Sequence, residues 1–228
     1  MANNFEGFPR EITDFLFGLR YTNTQELLAE NKVIYKQLIS EPLLLLFCDL
    51  TEAALDVSET LITKPSKCVS SMYNDMRFSK ATPLKEYMYI RFREPFSSDN
   101  ILGLYFDMGH THYSYGIRIY KQTSAGMEAI RKSILANKEL FTKQLSALND
   151  CGMEIVGHNY AKDRYPSETE ILKQLLNKRD FYIRKELPIS ESVFNCKLQN
   201  EIAHALKKLK GIYTLLKKSL YGAAPLLK

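Results

Sequence analysis

Asp75 and Arg77 stand two apart in the stretch MYNDMRFSKATPLKEY, residues 72–87. On an extended chain that spacing sends both side chains to one face. A carboxylate beside a guanidinium can orient it toward an anion, or take a proton if its own ionisation is displaced. Lys80 and Lys85 follow in the turn beyond, Tyr73 precedes, and Tyr89 and Arg91 stand in the next alternating run. Guanidinium forks match carboxylate or phosphate, and tyrosines offer stacking faces and hydroxyl donors. The expected ligand set is therefore Tyr73, Asp75, Arg77, Lys80, Lys85, Tyr89 and Arg91. In it Arg77 and Lys85 neutralise the charge of an anionic small molecule, Asp75 orients Arg77, and Tyr73 or Tyr89 stacks. Asp75 is the candidate catalytic acid or base if the protein is an enzyme. A competing expectation uses the same residues as sheet stabilisers, because Tyr and Arg favour exposed strands and cross-strand charge pairs are ordinary.

The elements that must position these residues are legible in the spacing of apolar side chains. Pro9 opens a helical pattern of Ile12, Phe15, Leu16 and Leu19, and Asn23 or Thr24 caps a second with Leu27, Leu28, Ile34, Tyr35 and Leu38. Pro42 starts a third through Leu43–Leu46, Leu50 and Leu55. The period then changes from 3.6 to 2. Runs 69–78, 87–93, 102–108 and about 113–121 alternate, and an antiparallel meander is expected. Its polar face would gather Tyr73, Asp75, Arg77, Tyr87, Tyr89, Arg91, Arg93, Tyr105 and Asp107. Helices at 125–137 and 138–148, a strand at 153–160, a helix after Pro166-Ser167 and a strand at 181–187 should follow. A long amphipathic helix over about 190–220 closes the chain. The expectation is one α+β domain over residues 1–228, an antiparallel sheet flanked by helices.

Several function classes lose their usual supports. Neither G-x-G-x-x-G nor G-x-x-x-x-G-K-[ST] occurs, nor G-x-S-x-G, nor H-E-x-x-H. Cys48, Cys68, Cys151 and Cys196 are scattered, so free thiols are expected. His110-x-His112 brings no third ligand, and no metal or cofactor is expected. The longest apolar run, Leu43–Cys48, is too short to span a bilayer. The opening MANNFEGFPRE lacks the pattern of a signal peptide, so a cytoplasmic location and no membrane partner are expected. Of the net charge of +5, residues 196–228 carry +6, from seven lysines against Glu201, leaving −1 for the rest. That lysine stripe supports an alternative expectation: a non-catalytic module binding nucleic acid or a protein through the last helix. Its other reading is the solvated face of a packed helix.

The stretch S-S-M-Y-N-D-M-R-F-S-K-A-T-P-L-K from Ser70 resembles a bacterial family, domain of unknown function 2461, with the signature R-x-x-R-D-x-R-F-x-x-[DN]-K-x-x-Y. Asp75, Arg77 and Phe78 match its D-x-R-F core. Ser79-Lys80, Thr82-Pro83 and Lys85 are similar to the S-K…T-P-x-K that follows. F-x-G-F-P at Phe5–Pro9, the stretch from Asn23 to Lys32, Ile130–Ile134 and Lys178–Pro188 resemble further family segments. The departures are specific. Ser71 and Asn74 replace the first two arginines, Ala81 stands for the [DN]-K pair, and Leu84 stands for the tyrosine. The resemblance implies a bacterial α+β protein and a location of interest around Asp75 and Arg77. It implies no reaction.

Overall fold

A computed structural model describes residues 5–74 and 84–222. Asp75, Arg77 and Lys80 therefore lie outside the described residues. The architecture is α+β. The helices α1 (Ile12–Gly18) and α2 (Gln25–Tyr35) lead through a π-helical turn, Lys36–Ser40, into α3 (Glu41–Val57) and a short α4 (Pro65–Cys68). Three strands follow, β1 (Met88–Arg93), β2 (Ile101–Met108) and β3 (His112–Tyr120). Then come α5 (Ser124–Ala136), α6 (Lys138–Asp150), β4 (Glu154–Val156), α7 (Glu170–Leu176), β5 (Tyr182–Pro188) and α8 (Lys197–Tyr221).

All strand pairs are antiparallel, in the order β1-β2-β3-β5-β4. The first three form the expected meander. The last two appear in reverse order, because β5 runs beside β3 and leaves β4 at the edge. The expected strand over 69–78 is, in its described part, only two isolated bridges, Val69 to Ile90 and Tyr73 to Leu84. Side chains interrupt the ladder there. Ser70 Oγ accepts from the Tyr89 amide at 3.0 Å. The Asn23 amide group donates to Leu84 O and accepts from Leu84 N. The last helix also begins later than its apolar stripe suggests. Glu191–Phe194 is a 3-10 turn, Asn195 is extended, and the Asn195 side chain accepts from Lys197 N at 2.9 Å at the start of α8.

One continuous buried core runs from Phe5 to Leu216. Strand alternation sends Met88, Ile90 and Phe92 from β1 to it, with Leu102, Leu104, Phe106 and Met108 from β2. Helix α3 covers this face, with Phe47 stacked on Phe92 at 5.2 Å. Helix α8 covers it too, and Glu201 accepts from Tyr115 OH at 2.8 Å. The amphipathic stripe of α8 buries Leu198, Ile202, Leu209, Ile212 and Leu216 and turns Lys207, Lys208, Lys210 and Lys218 outward. Lys217 instead bends inward, 3.3 Å from the fully buried Glu94 carboxylate at the end of β1. Arg131 is also buried. From α5 it donates to Leu176 O and Lys178 O, carbonyls at the exit of α7 that the helix itself cannot pair. No helix among the described residues is long and apolar enough to cross a membrane.

Candidate functional site

The second face of the sheet follows from the register. Tyr89, Arg91 and Arg93 of β1 oppose Asp107, Tyr105 and Gly103 of β2. Those in turn oppose Ser114, Gly116 and Arg118 of β3, and the row continues to Glu186, Arg184 and Tyr182 of β5, the last two facing Glu154 and Val156 of β4. Helices α3 and α8 lie on the other face of the sheet, while Arg93 of the polar face donates to Lys67 O of α4. Two glycines let the large side chains of the polar face lie down. A Cβ at Gly103 would stand 2.4 Å from Phe92 O, so the strands approach too closely for any side chain there. Gly116 has φ +156°, and a Cβ would meet Ile183 O at 2.0 Å.

Arg91 is the centre of the face. Its guanidinium lies 3.6 Å from the centroid of the Tyr89 ring and 5.3 Å from that of Tyr120. Arg118 sits 5.6 Å from the same Tyr120 ring. Stacking of this kind holds a guanidinium flat and leaves its N–H edge free to bond. Arg91 Nε, Asp107 Oδ1 and Tyr120 OH are buried and have no hydrogen-bond partner among the described residues. Such atoms are costly, at about 1–3 kcal/mol each. The fourth such atom, Gln199 Oε1, belongs to α8. Three of the four on one sheet face mark it as incomplete without further groups.

Asp107 carries the strongest electrostatic signal among the described carboxylates. Burial pushes it up to about 6, against the opposing pull of Arg91 and Arg118. The residue as a whole is half-buried, and its Oδ1 is sealed from water. Burial likewise raises Tyr105 and Tyr120 well above the ordinary tyrosine range. Two hollows open on this face. One of 380 Å³ is lined by Lys67, Val69, Ser71, Tyr89, Arg91 and Arg93 among others. The next, 320 Å³, is lined by Tyr87, Asp107, His112, Ser114 and Glu186 among others. Both are of the size that small ligands occupy.

The expected residues divide. Arg91 and Tyr89 meet on the polar face as a stacked pair. Lys85 is close by, 5.8 Å from the Tyr89 ring centroid, but its ammonium donates to Ser71 O at 2.8 Å and also to Tyr73 O. Burial and then Arg91 lower its affinity for a proton. Lys85 thus clamps the 71–73 backbone. Tyr73 is largely exposed and lines a separate apolar hollow with Val33, Tyr35 and Met72. Asp107, Arg118 and Tyr120 complete the arrangement without having been in the expected ligand set. Asp107 is on the polar face by its parity in 102–108, so its position was readable from sequence and its burial was not. Arg118 and Tyr120 come from β3, where tyrosines on both faces blur the alternation. No group of three or more His, Cys, Asp or Glu among the described residues could hold a metal ion. His110 packs its ring 5.4 Å from Phe17, and His112 Nδ1 is 3.0 Å from Thr111 Oγ1. All four cysteines are free thiols.

A search of curated proteins gives no match. The family described as conserved hypothetical protein DUF2461 matches residues 11–214, which span α1 to most of α8, including every described residue of the polar sheet face. The chain belongs to the DUF2461 family.

Proposed function

We propose that this protein binds an anionic small molecule on the polar face of its sheet. The observation that carries this reading is the trio of buried, unpartnered polar atoms on that face, Arg91 Nε, Asp107 Oδ1 and Tyr120 OH. Arg91 supplies a held guanidinium edge, Tyr120 a hydroxyl donor, and Arg118 and Arg93 a positive surround. Tyr89 fixes Arg91 from below. Asp75, Arg77 and Lys80 belong to the same proposal through the family signature, and the test of Arg91 does not depend on them.

Ethyl phosphate is a suitable probe, since its dianion matches the guanidinium fork. Calorimetric titration should show binding to the wild-type protein and a loss of about tenfold or more in Arg91→Met, equivalent to about 1.4 kcal/mol or more. Methionine keeps the aliphatic packing and removes the charge. Equal affinity in the two proteins would remove Arg91 from the site. The outward lysines of α8 support a second reading, a nucleic-acid surface. It requires salt-sensitive binding that disappears when Lys207, Lys208 and Lys218 are neutralised. Lys217 does not contribute to that surface, because its charge is committed to Glu94.

A further inference from the structure

The orphaned atoms on the sheet face are of opposite kinds, and that restricts the ligand more than charge alone. Arg91 Nε is a donor and Tyr120 OH can donate, whereas Asp107 Oδ1 is an acceptor whenever the carboxylate is ionised. Arg91 and Asp107 are diagonal neighbours across the β1–β2 pair, since Tyr89 opposes Asp107 and Arg91 opposes Tyr105. Their backbones are therefore about 7–8 Å apart. They do not pair with each other, although Arg91 Nε and Asp107 Oδ1 are both buried there. Arg91 lines one hollow and Asp107 the other. A simple anion would satisfy Arg91 and Tyr120 but leave Asp107 unpaired and facing a like charge. A molecule with an anionic group at one end and a protonated amine at the other satisfies all three.

We propose that the ligand of this face is an aminoalkyl phosphate, its phosphate held by Arg91 and Tyr120 and its ammonium by the Asp107 carboxylate. This rests on the anion-binding reading above and specifies its chemistry. Phosphate suits the anionic end because Arg93 and Arg118 add to the positive field of Arg91 around Tyr120. The hydrocarbon spacer lies along Tyr89 and Tyr87, which line one hollow each and whose ring centroids are 6.1 Å apart.

The test compares aminoethyl phosphate with ethyl phosphate by calorimetric titration at about pH 7.5, where Asp107 is ionised. Wild-type protein should bind the amine about tenfold more tightly, and Asp107→Asn should bind the two phosphates alike. Melting curves of both proteins, recorded alongside, confirm that each is folded. A wild-type protein that binds both phosphates equally, or an Asp107→Asn protein that keeps the preference, overturns the assignment of the amine to Asp107. In either case ethyl phosphate binding leaves the anion site standing. If neither phosphate binds, the underlying reading fails as well. Tighter binding of β-alanine than of aminoethyl phosphate would move the anionic end to a carboxylate and overturn the phosphate half.

Discussion

Replacing Lys217 with methionine should lower the stability of the protein by about 3 kcal/mol, read as a shift in the urea midpoint. The cause is Glu94. Its side chain has no exposed surface, and it accepts hydrogen bonds from Ser58 Oγ at 2.7 Å, Thr60 Oγ1 at 2.5 Å and Tyr213 OH at 3.0 Å. Lys217 donates to the same two hydroxyls, at 2.7 and 2.6 Å, so its charge reaches the carboxylate both directly and through them. The Tyr213 hydroxyl, buried against Glu94, is held well above its ordinary ionisation. This network joins the end of α3, the exit of β1 and the last turns of α8. Removing the ammonium leaves a carboxylate sealed in the core with no counter-charge. Glu94→Gln in the same chain should restore most of the loss, because the amide oxygen still accepts from Ser58 and Tyr213, its NH2 group can donate to Thr60 Oγ1, and no charge remains to compensate. Strict additivity of the two substitutions would contradict the pairing.

Asp107→Asn should do the opposite and stabilise the protein. The folded carboxyl is pushed up to about 6 from its ordinary value near 3.8, so the folded state holds its proton more tightly than the unfolded chain. A raised carboxyl contributes stability below its unfolded value, and that contribution is lost as pH rises through the folded value. Above about pH 7 the wild-type protein therefore carries the full cost of a buried carboxylate, roughly 1–3 kcal/mol. Asparagine removes that cost. The gain should be largest near pH 8, fall to about half at pH 5 and vanish below about pH 3, where both states are protonated. Denaturant titrations at these pH values measure it. A residue whose removal stabilises the fold is retained for a reason other than folding, and the proposed ligand site supplies one. A destabilised Asp107→Asn protein at pH 8 would instead make Asp107 a structural partner of Arg91.

Much of the frame was legible in the chain because two periods are easy to tell apart. The cap at Thr24 accepts from the amide of Leu27, and the alternation of 87–93 and 102–108 fixes which side chains share a face. Parity alone placed Tyr89, Arg91, Tyr105 and Asp107 together. Strand order was not legible, since nothing local to 153–160 or 181–187 says that β5 reaches β3 first. Strand β4 is also shorter than its apolar run. Gly157, at φ +147°, passes so close to Asp180 O that a Cβ would stand at 2.0 Å, and His158 then turns to the Asp180 carboxylate. The choice of carboxylate was the larger gap. Asp75 draws attention because it sits in a signature, whereas Asp107 matters because of what surrounds it across three strands. Burial of one oxygen is a property of packing and has no local pattern. The lysine stripe showed the same limit from the other side. Helical spacing groups Lys217 with Lys218, but only the position of Glu94 reveals that Lys217 is an internal ion.

The most direct test of the anion site is to map the backbone amide resonances of the wild-type protein while ethyl phosphate is added. Saturable shifts are expected only on the polar face, at Tyr89–Arg93 of β1, Tyr105–Asp107 of β2 and Arg118–Tyr120 of β3, with Lys207–Lys218 of α8 unmoved. Shifts concentrated on α8, or none on these three strands at saturating probe, would contradict the proposed anion site.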